Sequence, residues 1–545
     1  MPGFFERLDS LAGTDTAPSS VRWLQRVAFV FLVLMVLSAP HSIAATQIAW
    51  LTGMLAWMIS VVLSRRSGGV HAQAGPPRTL NVALWLFFAW SALTSLTSYA
   101  PDISINKLRG VAVFLIFYFV FYNVRNRKAA HMLAIALIVS CMVNVIWTPV
   151  QRLIGRGVEI HGLAPEGPLA KAFLWEGDAL LEANGKKVRD PEDVRLAVEA
   201  NEITKIKFYR PDFEFVVDVK RADLLAGTDA TSRLGFSTWK KSRNWRSTGF
   251  YGHYTTYAEV LQLVLSLLLG LFVAGLWERW GKGGRETRNR KQETGDERRE
   301  IGDSNAFPRF PSLLLFICLA AMSLALLLTV TRASQLAFLI SAAVMVLVGL
   351  GRKWLLAAGL IGLPIIIIGL LFLQQSRQVG FFDTKDESIR WRQTVWREGF
   401  DLWTSSPRNF MLGVGMDSIK RFAPEWHMFD DGRLNQGHFH STPLNLVVER
   451  GLPALLIWLI ALGVYARSLW RSFATAADWL TRGIFLGCLG GPIGFFSSGL
   501  VHYNLGDQEV AMMFFLLMGL GMSLSRLSGL DRVKALDTKH TRTRS

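Results

Sequence analysis

"GHFHSTPLNLVVERGLP" (437–453) opens an apolar run that continues to residue 466. That is long enough to cross a bilayer, which takes roughly 20 apolar residues. Two histidines stand at its mouth, a Glu-Arg pair lies further in, and a Gly-Leu-Pro break follows. Ionisable groups at such depth are expensive and mark functional sites by default. Outward from this run (442–466), eleven more candidate spans fall near 24–39, 43–63, 80–98, 108–123, 130–150, 254–276, 311–330, 333–351, 354–373, 482–500 and 509–525. The fourth is the weakest, being short and flanked by Lys107 and Arg109. With 51% hydrophobic residues and 19 tryptophans in 545 positions, the composition fits a polytopic membrane protein better than a soluble multidomain enzyme.

Short loops rich in Lys and Arg mark the cytoplasmic side. Here they alternate: Arg22/Arg26, Arg65/Arg66, Arg125/Arg127/Lys128, the stretch 278–309, Arg352/Lys353, Arg467/Arg471 and the tail after Arg526. Both termini are therefore expected inside. The formal charge of +17 follows from this bias. Nucleic-acid binding explains it less well, because the basic residues form no single surface. The first run ends in "APHSIAAT" (39–46), which mimics a cleavage site; the long stretch before it favours an uncleaved anchor. Cys141, Cys318 and Cys488 all fall inside predicted spans and read as apolar packers.

The organisation that follows is helices over 1–150, a small soluble domain over 151–222, and a linker over 223–253. Helices then fill 254–373 around a charged cytoplasmic loop, 280–305, expected to be disordered. A large outer loop spans 374–441, helices return over 442–526, and a basic tail covers 527–545. In the small domain Asn184-Gly185 is a two-residue hairpin signal. Asp190-Pro191 starts a helix, and Phe213, Phe215, Val217 and Val219 alternate as a half-buried strand does. The stretch "GPLAKAFLWEGDALLEANGKKVRDPEDV" (167–194) resembles a bacterial PDZ domain. That resemblance implies binding of a peptide or chain terminus by strand addition, with the carboxylate loop near "RLIGRGVEI" (152–160). A lid or spacer is the equal alternative.

Polar groups gather at the outer ends of the helices. They are Arg246 and His253 in "NWRSTGFYGHYTTYAE" (244–259), Arg332 in "TVTRASQLAFL" (329–339), Arg390, Arg392 and Arg397 on a Trp-rich helix, and His438, His440 and Glu449. Guanidinium forks pair with phosphate oxygens. Fixed cations stabilise a leaving diphosphate, and an imidazole can take a hydroxyl proton. Each residue also has a plainer reading. Arg332 can anchor a turn at headgroups, Arg390 can pair with Asp386 or Glu387, and Arg246 can simply touch the surface. Arg392 and Arg397 read better as lipid- or solvent-facing, and His440 can cap a helix. His427, His438 and His440 make a weak zinc signal, and no metal is expected. Glu449, nine residues past His440, lies half a turn round a regular helix; it cannot orient His440 and is expected to pair with an arginine, Arg450 among them.

The stretches "RSTGFYGHYTTYA" (246–258), "LTVTRASQLAFL" (328–339), "SIRWRQTVWREGFDLWTSSPRNFMLGVGMDSI" (388–419) and "HSTPLNLVVERGLPALLIWL" (440–459) resemble, in order, the O-antigen ligase and polymerase superfamily of bacterial envelope enzymes. The resemblance implies an all-α polytopic membrane protein of about twelve transmembrane helices, GT-C-like, here with a small α/β PDZ-like domain inserted. It implies an undecaprenyl-diphosphate-linked glycan donor and inverting, metal-independent transfer without cofactor, on the periplasmic side of the inner membrane. By motif, Arg332 and Arg390 would hold the diphosphate, with Arg246 a softer match, and His440 would be the base. Glu449, His438 and His253 would support them. Ser441 and Ala333 stand where the family often has Asn and Gly. Lipid A-core is the favoured acceptor; a lipid-linked repeat unit (polymerase) or a protein hydroxyl are the alternatives. A transporter or PDZ-bearing scaffold is the non-enzyme alternative, although charges near the midplane, expected of a transporter, are not what the sequence offers.

Overall fold

Backbone polar groups in lipid must be satisfied within the chain, and the apolar stretches accordingly fold as helices. The computed structural model describes residues 4–14, 18–66, 74–210, 213–243, 245–290, 310–360, 362, 387–434 and 437–542. Among these, ten helices are long and apolar enough to cross a membrane: Val21–Ser38, Ile43–Arg66, Arg78–Leu96, Pro101–Asn123, Arg127–Ile154, Tyr254–Arg279, Arg332–Gly349, Thr442–Ala474, Trp479–Gly499 and Gln508–Leu530. A shorter apolar helix covers Ser312–Leu328. Most of the span expected at 354–373 lies outside the described residues. Leu55 and Ile146 are about two-thirds bare (60% and 62%), the exposure of lipid-facing side chains in a multi-pass membrane protein. The weak fourth span is two helices, Pro101–Val111 and Leu115–Asn123, joined by a 3-10 turn at Ala112–Phe114.

The chain divides into two compact units, one of residues 145–249 with 328–330, the other of everything else described. Three boundary expectations change. The helix starting at Tyr254 runs on to Arg290, because Arg, Lys and Glu are good helix formers; the rest of the expected disordered loop, from 291, is outside the described residues. The basic tail continues the last helix, Gln508–Arg542. The supposed linker 223–253 contains a strand that completes the small unit's sheet.

That small unit is an antiparallel sheet of β1 (Arg156–Leu163), β2 (Ala179–Ala183), β3 (Lys186–Lys187), β4 (Ile203–Arg210), β5 (Phe213–Lys220) and β6 (Phe236–Ser242). The order is β5-β4-β2-β1-β6, with β3 paired to β2. Asn184 (φ 50) and Gly185 (φ 78) make the β2–β3 turn in the left-handed region, as its sequence required. Asp190 caps the Pro191–Ala200 helix, accepting from the Glu192 and Asp193 N–H groups in a capping box. Val158, Ile160, Leu180, Val194, Val198, Ile206 and Phe208 form the core. Asp178 accepts two bonds from the Arg210 guanidinium (2.9 and 2.7 Å), which lies 3.8 Å over the Trp175 ring; this is the role of the "WEGD" stretch. β1 is paired on both sides, so a peptide cannot add to it as an edge strand.

In the membrane unit the helices Tyr254–Arg290 and Trp479–Gly499 touch backbone to backbone. A Cβ on Gly270 would stand 2.4 Å from both the Gly483 oxygen and the Gly487 nitrogen; small residues at this spacing permit such close packing in lipid. The Thr442–Ala474 helix breaks at Gly451 (φ 74, ψ 173). Pro453 has no N–H to give the Glu449 carbonyl. The Gly415 N–H takes that carbonyl instead (2.9 Å), the Val414 N–H takes that of Val448 (2.8 Å), and the Trp90 indole N–H takes that of Arg450 (2.8 Å). A helix break in lipid survives because every freed acceptor is filled.

Candidate functional site

The histidine loop is built from its helix start. Ser441 caps the Thr442–Ala474 helix by accepting the Leu444 N–H, and Pro443 occupies the first turn, where a missing N–H costs nothing. Asn445 latches the loop, its Oδ1 accepting from Phe439 N–H (3.3 Å) and its Nδ2 donating to the Ser441 carbonyl (2.8 Å). Phe439 is fully buried, and its carbonyl accepts the Trp396 indole N–H at 2.9 Å. Trp391, Val395 and Gly399 lie along one face of the Glu387–Thr404 helix at four-residue spacing. Trp391 meets the His440 ring edge-on, with centroids 4.8 Å apart. Val395 is in the same core cluster as Phe439, and Gly399 leaves room for the Phe439 ring, which a Cβ would approach to 2.6 Å.

The His438 and His440 rings touch at a tilt of 51°, centroids 4.0 Å apart, and the His440 N–H donates to His438 Nδ1 (3.1 Å). An accepting Nδ1 leaves the proton of neutral His438 on Nε2. Burial pushes His438 down to about 4, helped by the Lys420 ammonium and opposed by Asp417. Burial holds His440 lower still, with the Arg392 guanidinium adding to it, as do His438, His502 and His253 when they are protonated. Both imidazoles are neutral at ordinary pH, with lone pairs able to accept a proton.

Two residues near His440 were misjudged or missed in the sequence. Arg392, expected to face lipid or solvent, acts electrostatically on His440, with its guanidinium 4.7 Å over the Trp391 ring. His502 lies in the turn before the last helix; its Nδ1 is 2.7 Å from Glu259, and both are buried. The His502 carbonyl accepts from Thr442 N–H and Oγ1 (2.9 and 3.1 Å). The signal for His502 was a His-Tyr pair, "VHYN" (501–504), between two apolar helices.

Of the remaining expected residues, His253 precedes the Tyr254–Arg290 helix, with Nδ1 accepting the Thr255 N–H (3.3 Å). Arg390 lies in the first turn of the Glu387–Thr404 helix and is exposed. Arg332 is the first residue of its helix, half-buried, two residues after Val330 at φ 53. Arg246 belongs to the small unit and is half-buried. Glu449 is buried; it accepts from the Asp417 N–H (3.2 Å) and the Tyr503 hydroxyl (3.1 Å), and stands 3.7 Å from Arg450. The zinc alternative loses His427, which pairs with Asp431 at 2.8 Å. Among the described residues no three His, Cys, Asp or Glu side chains gather as metal ligands.

A family model described as O-antigen ligase matches residues 317–459. This segment is similar to the O-antigen ligase family. No curated protein matches the chain. Inside the matched segment lie Arg332, Arg390, Trp391, Arg392, His438, His440 and Glu449. His253 and Glu259 precede it, and His502 and Tyr503 follow it, so the group around His440 draws on residues on both sides of the matched segment.

Proposed function

We propose that this protein is a ligase-type glycosyltransferase that moves a polysaccharide from undecaprenyl diphosphate to a hydroxyl of lipid A-core, on the periplasmic face of the inner membrane. The observation that carries the reading is the His440 imidazole, packed between Trp391 and His438, inside a segment that matches the O-antigen ligase family model. In the reaction, His440 takes the proton of the acceptor hydroxyl as its oxygen bonds to the anomeric carbon. The bond from that carbon to the diphosphate breaks on the opposite face, inverting the centre. The diphosphate leaves with the electron pair and is later reprotonated from His440. Arg332 and Arg390 are assigned to the diphosphate, a cationic role that needs no divalent ion. Negative charge arriving with the donor would raise the His440 pKa towards the working range of a base, because it offsets the positive neighbours. The distribution of Lys and Arg supports cytoplasmic termini.

The test is reconstitution of the protein with purified lipid-linked glycan, a chelator, and three acceptors: lipid A-core, a second lipid-linked repeat unit and a protein hydroxyl. Transfer to lipid A-core that is abolished in His440→Ala supports the reading. Transfer only to the repeat unit makes the protein a polymerase, and a strict need for divalent metal removes the proposed mechanism.

A further inference from the structure

Between the helices Arg78–Leu96, Pro101–Val111, Thr442–Ala474 and Gln508–Arg542 lies a cavity of about 90 Å³ that the proposed transfer step leaves unused. Aromatic rings of Phe87, Phe114, Trp458 and Phe515 wall it, and four charged groups line it: Lys107, Asp417, Glu449 and Arg450. The two carboxylates have filled their hydrogen bonds. Asp417 accepts from Lys107 (2.6 Å) and Lys420 (3.0 Å), and Glu449 accepts from the Asp417 N–H and the Tyr503 hydroxyl.

Arg450 is the exception. It is only 5% exposed, and its Nε has no hydrogen-bond partner. Its nearest carboxylate oxygen, on Glu449, stands 3.7 Å away, beyond hydrogen-bonding distance. The Phe87 ring, 5.5 Å from the guanidinium carbon, gives it a π face but no acceptor. A buried cation with unfilled donors is costly, and a guanidinium fork matches an oxyanion in two parallel bonds. Lys107 adds a second cation whose side chain is 47% exposed. The unmet demand of the cavity is for acceptor oxygens carrying negative charge. Tyr503, another lining residue, has its ring tilted against that of His438, with centroids 5.7 Å apart. A ligand here therefore sits one ring away from the histidine loop.

We propose that this cavity binds the phosphate of a lipid-anchored acceptor, held by Arg450 and Lys107, with the aromatic walls against its apolar faces. The inference rests on the transfer reading above and narrows the acceptor to a phosphorylated glycolipid. It is tested with the full-length protein in nanodiscs and two forms of one acceptor glycolipid, native and enzymatically dephosphorylated. The expected result is an acceptor KM about tenfold lower for the phosphorylated form, since charge-assisted hydrogen bonds are worth about that factor or more. Arg450→Lys, and independently Lys107→Gln, should erase most of this preference while leaving the donor KM in place. The second variant serves if the first fails to insert.

Equal KM for the two acceptors in the unaltered protein overturns the proposal, as does an intact preference in either folded variant. Competition by phosphatidylglycerol vesicles as strong as by the phosphorylated acceptor overturns it too, because the site would then be a general headgroup site. A parallel measurement of acceptor binding without donor separates the two ideas. Phosphate-dependent binding that is lost in Arg450→Lys, in a protein that transfers nothing, sinks the transfer reading and sustains this one. Binding indifferent to phosphate sinks this one alone.

Discussion

His440 holds φ 47, a left-handed backbone that costs a side-chain-bearing residue of order 1–3 kcal/mol and persists only where its surroundings impose it. The surroundings here are Asn445, Trp396, Trp391 and His438, each bonded or packed to the same four-residue loop. His440→Ala should lower transfer by about 10²–10⁴-fold, the usual contribution of a general base, with insertion and melting behaviour retained; loss of fold instead would make the residue structural. The folded-state pKa values of His438 and His440 lie below the ordinary imidazole value, so below about pH 6.5 the unfolded chain binds more protons than the folded one. Stability is then fully present above that pH and falls as the pH drops towards 4. Melting temperature measured across this window should decline, and His438→Gln should flatten the decline; a flat profile in the unaltered protein would refute the assignment. The histidines were legible because two of them flank one Phe at a helix mouth. Arg392 was not, because the sequence gives the 100° step between neighbours but not which facet of the Glu387–Thr404 helix meets the loop. His502 reaches the loop through a main-chain carbonyl, which no side-chain pattern announces.

Spans and strands were legible wherever one period dominated. The Asn-Gly turn, the Asp190 cap and the alternation in β5 all fold as the local chemistry directs. β6 was missed because "FSTWKKS" (236–242) has little alternation and gains its strand state from pairing with β1. The break at Gly451 was visible as Gly-Leu-Pro; its meaning was not, since the three donors that fill its carbonyls come from Trp90, Val414 and Gly415. Gly451→Ala would force a Cβ to 2.0 Å from the Met411 carbonyl oxygen at a backbone angle open only to glycine. It should destabilise the protein by about 2 kcal/mol or more, read by denaturation in detergent; a loss under ~0.5 kcal/mol would show that the break relaxes freely. Trp90→Phe removes one of the three bonds and should cost about 1 kcal/mol in the same assay.

At the scale of the whole molecule, the small unit has its own core and its own antiparallel hydrogen-bond ladder. Its first and last strands pair directly, Arg156 with Ser242, so the chain enters and leaves it through neighbouring positions. Residues 145–249 expressed alone should therefore fold with a cooperative melt and dispersed amide spectra; a molten product would show that the sheet needs the rest of the chain. The same segment could not be bounded from sequence, because β6 closes the sheet from beyond the expected domain end. The broken helix also bears on biogenesis. Its leading piece, 442–450, spans only about 13 Å, less than half the hydrocarbon core, so it has little tendency to partition into lipid by itself. Trp90 and the 413–415 segment leave the ribosome earlier, so docking partners for the exposed carbonyls are already synthesised when Gly451 emerges. Vectorial synthesis thus spares the nascent chain a stage at which a severed helix end faces lipid alone.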